Sequence, residues 1–267
     1  VPTYSLTLEY DGTDFAGWQI QPSVRTAMGV FGSALRAVTS ESPALTAAGR
    51  TDSGAHAHGQ VVGCTLERDW APDELRNALN ATLPADLAVR DVAIRSHGFH
   101  ARRDAVDRTY RYLVVCRDGR SPVMRRNAWT VRGPLDLDAM RKAAANLVGT
   151  HDFAAFGSAP NVGGSTVRQV ASVVVEHHEL GSGDAAEPVL ETVAITVRAD
   201  AFLRGMMRSF TGALVKIGQG RAAPEWLTSL VDTATGRDPS LPAAPARGLH
   251  QWSVSYLPAT TDHELAA

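Results

Sequence analysis

Tyr4, Leu6, Leu8 and Tyr10 alternate with Ser5, Thr7 and Glu9, the period of a strand with one covered face. Val24, Met28, Phe31, Leu35 and Val38 then recur at helical spacing and predict a helix over residues 25–40. A short strand at 44–48 runs into a turn bounded by Gly49 and Gly54, and another strand leaves it over 58–66. Pro72 suits the first turn of a helix whose buried face is marked by Leu75, Leu79 and Leu83. A strand at 87–95 closes the series. The order β-α-β-β-α-β is the split βαβ, or ferredoxin-like, plan.

The second half reads as an elaborated version of that plan. Strands are predicted at 108–117, 125–132, 167–177, 190–199 and 250–256, and helices at 136–148, 203–217 and 224–234. Gly- and Pro-rich stretches at 157–164, 181–184 and 238–248 mark loops. The expected fold class is α+β: two ferredoxin-like (RNP-type) domains whose antiparallel sheets flank a central active-site cleft. Residues 1–103 would form the first domain and 104–257 the second, with a mobile tail over 258–267.

Composition narrows the class. The 267 residues are 44% hydrophobic and 20% charged, an ordinary globular balance. No run of 18 apolar residues suggests a membrane helix, and the N-terminus lacks a secretory pattern. Two cysteines, Cys64 and Cys116, cannot make a disulfide framework, so a reduced, cytoplasmic protein is expected. The formal charge is −2, yet the cations are 24 Arg and only Lys142 and Lys216. Arg-rich usage suits either a GC-rich genome or phosphate recognition, and composition does not choose.

The densest chemistry lies in Ala48-Gly49-Arg50-Thr51-Asp52-Ser53-Gly54-Ala55-His56-Ala57. In an extended segment Arg50 and Asp52 share a face, so the guanidinium could hold the carboxylate ionised. Such an Asp can be a nucleophile, a general base or a metal ligand, or it can simply cap a turn. An aspartic protease would need a second Asp-Ser/Thr-Gly, which the sequence lacks. His56 and His58, with His97 and His100 downstream, leave open a metal-dependent hydrolase. A non-catalytic RNA-binding module on tandem ferredoxin-like sheets is a further alternative, although the aromatic RNP1 pattern is missing.

This segment resembles the signature of the tRNA pseudouridine synthase A family. Glu9-Tyr10-Asp11-Gly12, Gly17-Trp18-Gln19, Gly59-Gln60-Val61-Val62, Asn80-Ala81-Thr82-Leu83-Pro84 and Phe99-His100-Ala101-Arg102 are similar to family segments in the same order. So are Tyr110-Arg111-Tyr112, Asp152-Phe153 with Phe156, and Ala201-Phe202-Leu203 leading to Met207-Arg208. Ala55, Met28 and Arg204-Gly205 depart from the usual residues without touching the chemistry-bearing positions.

The resemblance implies a homodimeric, cytoplasmic isomerase that converts uridine to pseudouridine at positions 38–40 of the tRNA anticodon stem-loop, with no cofactor and no metal. It makes Asp52 the catalytic aspartate and gives supporting roles to Arg50 and Arg208. Tyr110 would stack on the uracil or relay its C5 proton, and Arg25, Arg102 and Arg168 would contact RNA. Tyr112, two residues beyond Tyr110 on the same strand face, is expected in the core.

Overall fold

The computed structural model describes residues 1–180, 190–233 and 236–257. The 181–184 loop and the tail from 258 lie outside those residues. The strands pair mostly antiparallel. The chain divides into two compact units, one of Val1–Asp107 with the chain from Trp252 onward, the other Arg108–Gln251. The division falls inside two strands, β5 (Ala105–Cys116) and β10 (Leu249–Tyr256), so the last strand's residues from Trp252 belong with the first unit.

In the first unit the sequence periods become β1 (Thr3–Tyr10), α1 (Ala27–Thr39), β2 (Thr46–Ala47), β3 (His56–Thr65), α2 (Pro72–Thr82) and β4 (Leu87–Arg95). β1 pairs antiparallel with both β3 and β4, and β2 pairs with the far edge of β3. Tyr4, Leu6 and Leu8 are buried with Phe31 and Leu35 of α1 and Leu75 and Leu79 of α2. Thr26 caps α1 by accepting the Gly29 N–H, while Pro72 opens α2. The opposite face of β1 is less open than alternation predicts. Ser5 is buried there, and its hydroxyl accepts from Nε of Arg95 at 2.9 Å.

The second unit contains the Arg108–Cys116 part of β5, then β6 (Trp129–Val131), α3 (Leu137–Ala145), β7 (Gly149–Asp152), β8 (Val167–Leu180), β9 (Leu190–Ala199), α4 (Met206–Gly218) and α5 (Pro224–Thr228). β9 lies between β5 and β8, β7 extends β8, and β6 pairs parallel with β5. Edge-to-face contacts among Phe153, Phe156 and Phe210, at 5.0–5.8 Å between centroids, anchor its core.

Three differences from the sequence reading bear on the second unit. α4 begins at Met206 rather than 203, because Arg204 pairs with Ser158 in a backbone bridge and Gly205 sits at φ +80°. α5 stops at Thr228, followed by turns that bring Asp232 to φ +61°. β7 was not expected, since its four residues gain strand geometry only by pairing with β8.

Candidate active site

The turn carrying Asp52 is clamped by a second segment, the strap Gly12–Trp18. The Trp18 N–H donates to the Thr51 carbonyl at 3.1 Å, and the Gly54 N–H donates to the Phe15 carbonyl at 3.2 Å. Asp52 lies between these two tethers. Its own carbonyl accepts the Ala55 N–H, closing a β-turn with Gly54 at the third position and φ +78°. The hydroxyls of Tyr10 and Thr51 are 2.8 Å apart, and Gln60, fully buried, bonds both backbone polar groups of Gly49.

The strap is held in turn by packing. Phe15 and Trp18 are buried against Tyr10, Trp18 stacked and Phe15 edge-on. Burying each such side chain contributes roughly 1.5–3 kcal/mol, against about 0.5–1.5 kcal/mol for a typical hydrogen bond. The aromatics therefore secure the strap, and the backbone bonds set its register against the turn. That register leaves no room for a side chain at two points. A Cβ on Gly12 would lie 1.8 Å from the Ala55 carbonyl oxygen, and one on Gly17, already at φ +93°, 2.9 Å from that of Thr51. Asp52 is half-buried and Arg50 exposed.

Tyr110 and Arg208 belong to the second unit. Tyr110, on β5, is buried, with its ring 4.7 Å from Phe202 and tilted 66°. Tyr112, on the same face, is fully buried and its hydroxyl donates to the Pro245 carbonyl at 2.6 Å. Burial pushes the Tyr112 phenol's pKa upward, against the pull of Arg247 and Arg208. Arg208 lies in the first turn of α4. Its Nε donates to the Ala244 carbonyl at 2.7 Å, while the Ala244 N–H donates to the Arg208 carbonyl. Gly212 lets the 242–245 segment come this close, since a Cβ there would meet the Pro242 oxygen at 1.9 Å.

The expected RNA-contacting arginines lie on different elements, Arg25 and Arg102 in the first unit and Arg168 in the second. Arg25 forks onto both oxygens of Asp86 at 2.7 and 2.8 Å and lies over the Phe15 ring. Arg102 is exposed on the turn after Phe99, and Nη1 of Arg168 donates to the Ser165 carbonyl. His56 and His58 do not converge on a common point. Nδ1 of His56 accepts the Gly12 N–H at 3.0 Å, and His58 pairs with Glu9 and packs on Trp252. Burial lowers the pKa of His58, although Glu9 pulls it up. No group of three or more potential metal ligands occurs among the described residues. No helix among them is long and apolar enough to cross a membrane.

A model of the tRNA pseudouridine synthase family matches residues 7–102 and 143–257. The chain belongs to the tRNA pseudouridine synthase family. Its enzymes are isomerases acting on tRNA uridine, and this protein is one of them. A tRNA pseudouridine synthase A from Syntrophotalea carbinolica is 39% identical over 253 residues, covering 95% of this chain and 96% of its own. Relatives of the same name from Geobacter sulfurreducens and Rhizobium meliloti are 39% and 38% identical, covering 92% and 96% of this chain and 96% and 100% of their own.

Two features of this synthase are given no role by the motifs. The strap works through backbone bonds, so only Gly12 and Gly17 announce it, and the buried Gln60 announces its support of Gly49. The other is a basic stretch between β5 and β6. Arg117, Arg120, Arg125 and Arg126 are all exposed there, the exposed Arg132 follows just past β6, and Asp118 is the single acid among residues 117–132. Counting cations in that window would have found it.

Proposed function

We propose that this enzyme forms pseudouridine at positions 38–40 of the tRNA anticodon stem-loop, with Asp52 as the catalytic carboxylate. The reaction breaks the uracil N1–C1′ bond, turns the base, and joins C5 to C1′. It is redox-neutral and transfers no phosphate. Asp52 can serve it by attacking C1′, by attacking C6, or by assisting a glycal route, and all three require the ionised carboxylate. The observation that carries the reading is the clamp on the Asp52 turn. Two backbone tethers and two glycines without room for a Cβ hold one half-buried carboxylate in place, inside a segment that the family model covers. Positioning of that kind is where an enzyme gains most from a rigid loop.

Arg50 and Arg208 supply positive charge to the reacting carboxylate and nucleotide in this reading, and Tyr110 offers its ring to the uracil. Stacking on an aromatic ring returns about 1–3 kcal/mol, comparable to the few kcal/mol needed to extrude a base. Arg25, Arg102 and Arg168 contact RNA, Arg25 by exchanging Asp86 for a phosphate. Residues 117–132 add a cluster of exposed cations suited to the same backbone. The enzyme acts in the cytoplasm as a homodimer, built from two ferredoxin-like domains. Support for that plan comes from the β4-β1-β3-β2 pairing of the first unit and the β5-α3-β8-β9-α4 succession of the second.

The test is to incubate purified protein with tRNA, map pseudouridines, and measure tRNA affinity separately. Product at positions 38–40 is expected from the wild type. Asp52→Asn should lose more than about 10³-fold in rate while binding tRNA normally. Appreciable turnover by that variant sinks the role given to Asp52, and product at other positions sinks the assigned target.

A further inference from the structure

We infer that His56 is a positioning residue for the Asp52 turn, one that holds the strap in register by accepting the Gly12 N–H. The inference deepens the proposed function and rests on Asp52 being the catalytic residue.

His56 opens β3 four residues after Asp52, and its side chain is almost fully buried. Nδ1 meets two groups of opposite demand. The Gly12 N–H, at 3.0 Å, can be satisfied only by an unprotonated nitrogen. An Asp11 carboxylate oxygen, at 3.2 Å from the same Nδ1, can be satisfied only by a protonated one. The two bonds are alternatives. A neutral ring with its proton on Nε2 takes the first, and an imidazolium takes the second.

The first bond bears on the turn because of where Gly12 sits. Its Cα is so close to the turn backbone that an added Cβ would overlap the Ala55 carbonyl oxygen. Gly12 also begins the 3-10 turn Gly12–Asp14, whose following residue, Phe15, accepts the Gly54 N–H. A shift of Gly12 toward or away from His56 is thus carried by three residues of tight turn to the tether flanking Asp52. Asp11 is equipped for either state, since the same oxygen already accepts from the N–H and hydroxyl of Thr13. Two residues along β3, His58 interacts electrostatically with His56 and is itself held by Glu9 of β1 and Arg90 of β4. Glu9 pairs with His58 at 3.1 Å and with Arg90 at 3.6 Å, and Arg90 also donates to the His58 carbonyl.

Single-turnover rates and tRNA affinities of His56→Asn, His56→Gln, His56→Ala and Asp11→Asn, measured at pH 8, test this. An Asn side chain places an amide oxygen near the Nδ1 position, whereas Gln reaches the Nε2 position. His56→Asn should therefore stay within about 3-fold of the wild-type rate. His56→Gln and His56→Ala should fall 10-fold or more, since misplacements of about 1 Å cost up to 10²-fold. Affinity for tRNA should not change in any of them. Asp11→Asn, which removes the competing carboxylate but can still accept from Thr13, should also stay within about 3-fold of the wild-type rate. A wild-type rate in His56→Ala, or a His56→Asn as slow as His56→Gln, overturns the inference. Asp52→Asn measured alongside separates the two levels. Its turnover would remove the catalytic reading itself, whereas an inactive Asp52→Asn beside a fully active His56→Ala would remove only the role of His56.

Discussion

The Asp52 turn of the first unit and the start of α4 in the second each present one charged side chain, and they secure it in opposite ways. Asp52 is placed by its backbone: Thr51 and Gly54 are tethered on either side, and the neighbouring strap has no room for side chains at Gly12 or Gly17. Arg208 is placed by its side chain, through Nε on the Ala244 carbonyl. It also stands where a cation is disfavoured, in the first turn of a helix with no side-chain cap. A cation near a helix N-terminus is opposed by typically 0.3–1 kcal/mol. The difference teaches that a short carboxylate has to be aimed by fixing its Cα, whereas a long guanidinium can be aimed by fixing one of its nitrogens.

The largest effects should come from closing the two tight approaches. Gly12→Ala and Gly212→Ala each put a methyl within 2 Å of a carbonyl oxygen, of Ala55 and Pro242 respectively. Forcing such contacts apart typically costs 1–3 kcal/mol or more, so both should lower Tm, by several degrees. Their kinetics should part. Gly12→Ala displaces the backbone that aims Asp52 and should lower the single-turnover rate by about 10²-fold. Gly212→Ala displaces the segment that receives Arg208, whose long side chain can follow it, and should lose about 10-fold or less. Equal losses in the two variants would break the comparison.

The same contrast explains what could be read from the sequence. β4 over 87–95 and the buried leucines of α2 are local patterns, visible in any window that contains them. The glycine-bounded turn around Asp52 is equally local. β7 and the late start of α4 are not, because each depends on a partner remote along the chain, β8 in one case and Ser158 in the other. The strap hides for a further reason: its bonds come from peptide groups, which every residue carries. Gly12 and Gly17 were its only trace, and a glycine says that something approaches without saying what. Tyr112 shows the opposite case, where alternation with Tyr110 placed it in the core and its bond to Pro245 agrees.

A smaller effect should come from the basic stretch between β5 and β6, which stands apart from both aimed groups. Replacing Arg120 and Arg125 together by Ala should weaken tRNA binding and leave the single-turnover rate at saturation unchanged. The slope of log affinity against log salt should drop by about 1–2, as two phosphate contacts would give. An unchanged slope would remove this stretch from the RNA-binding surface and leave the two aimed groups unaffected.

The smallest effect belongs to a third way of fixing a segment, in which a charge pair takes part. Nδ1 of His151 lies 2.7 Å from an Asp232 oxygen and Nε2 lies 3.1 Å from the Val148 carbonyl, so both ring nitrogens face acceptors. Only the doubly protonated ring can donate to both. Asp232, and secondarily Val148, accordingly raise the pKa of His151. The Asp152 N–H and then His151 lower that of Asp232. The signs fix the window. The raised His151 stabilises fully below its unfolded value, about 6.5, and the gain is lost as pH rises through the higher folded value. The lowered Asp232 stabilises above about 3.8, and its gain is lost as pH falls through the lower folded value. His151→Ala should therefore lower Tm most at about pH 5.5, where both charges are present, and the gap from wild type should narrow toward pH 8. Both groups are partly exposed, so 1 M salt should shrink the gap as well. A gap of the same size at both pH values would mean that the ring holds this segment by packing rather than by charge.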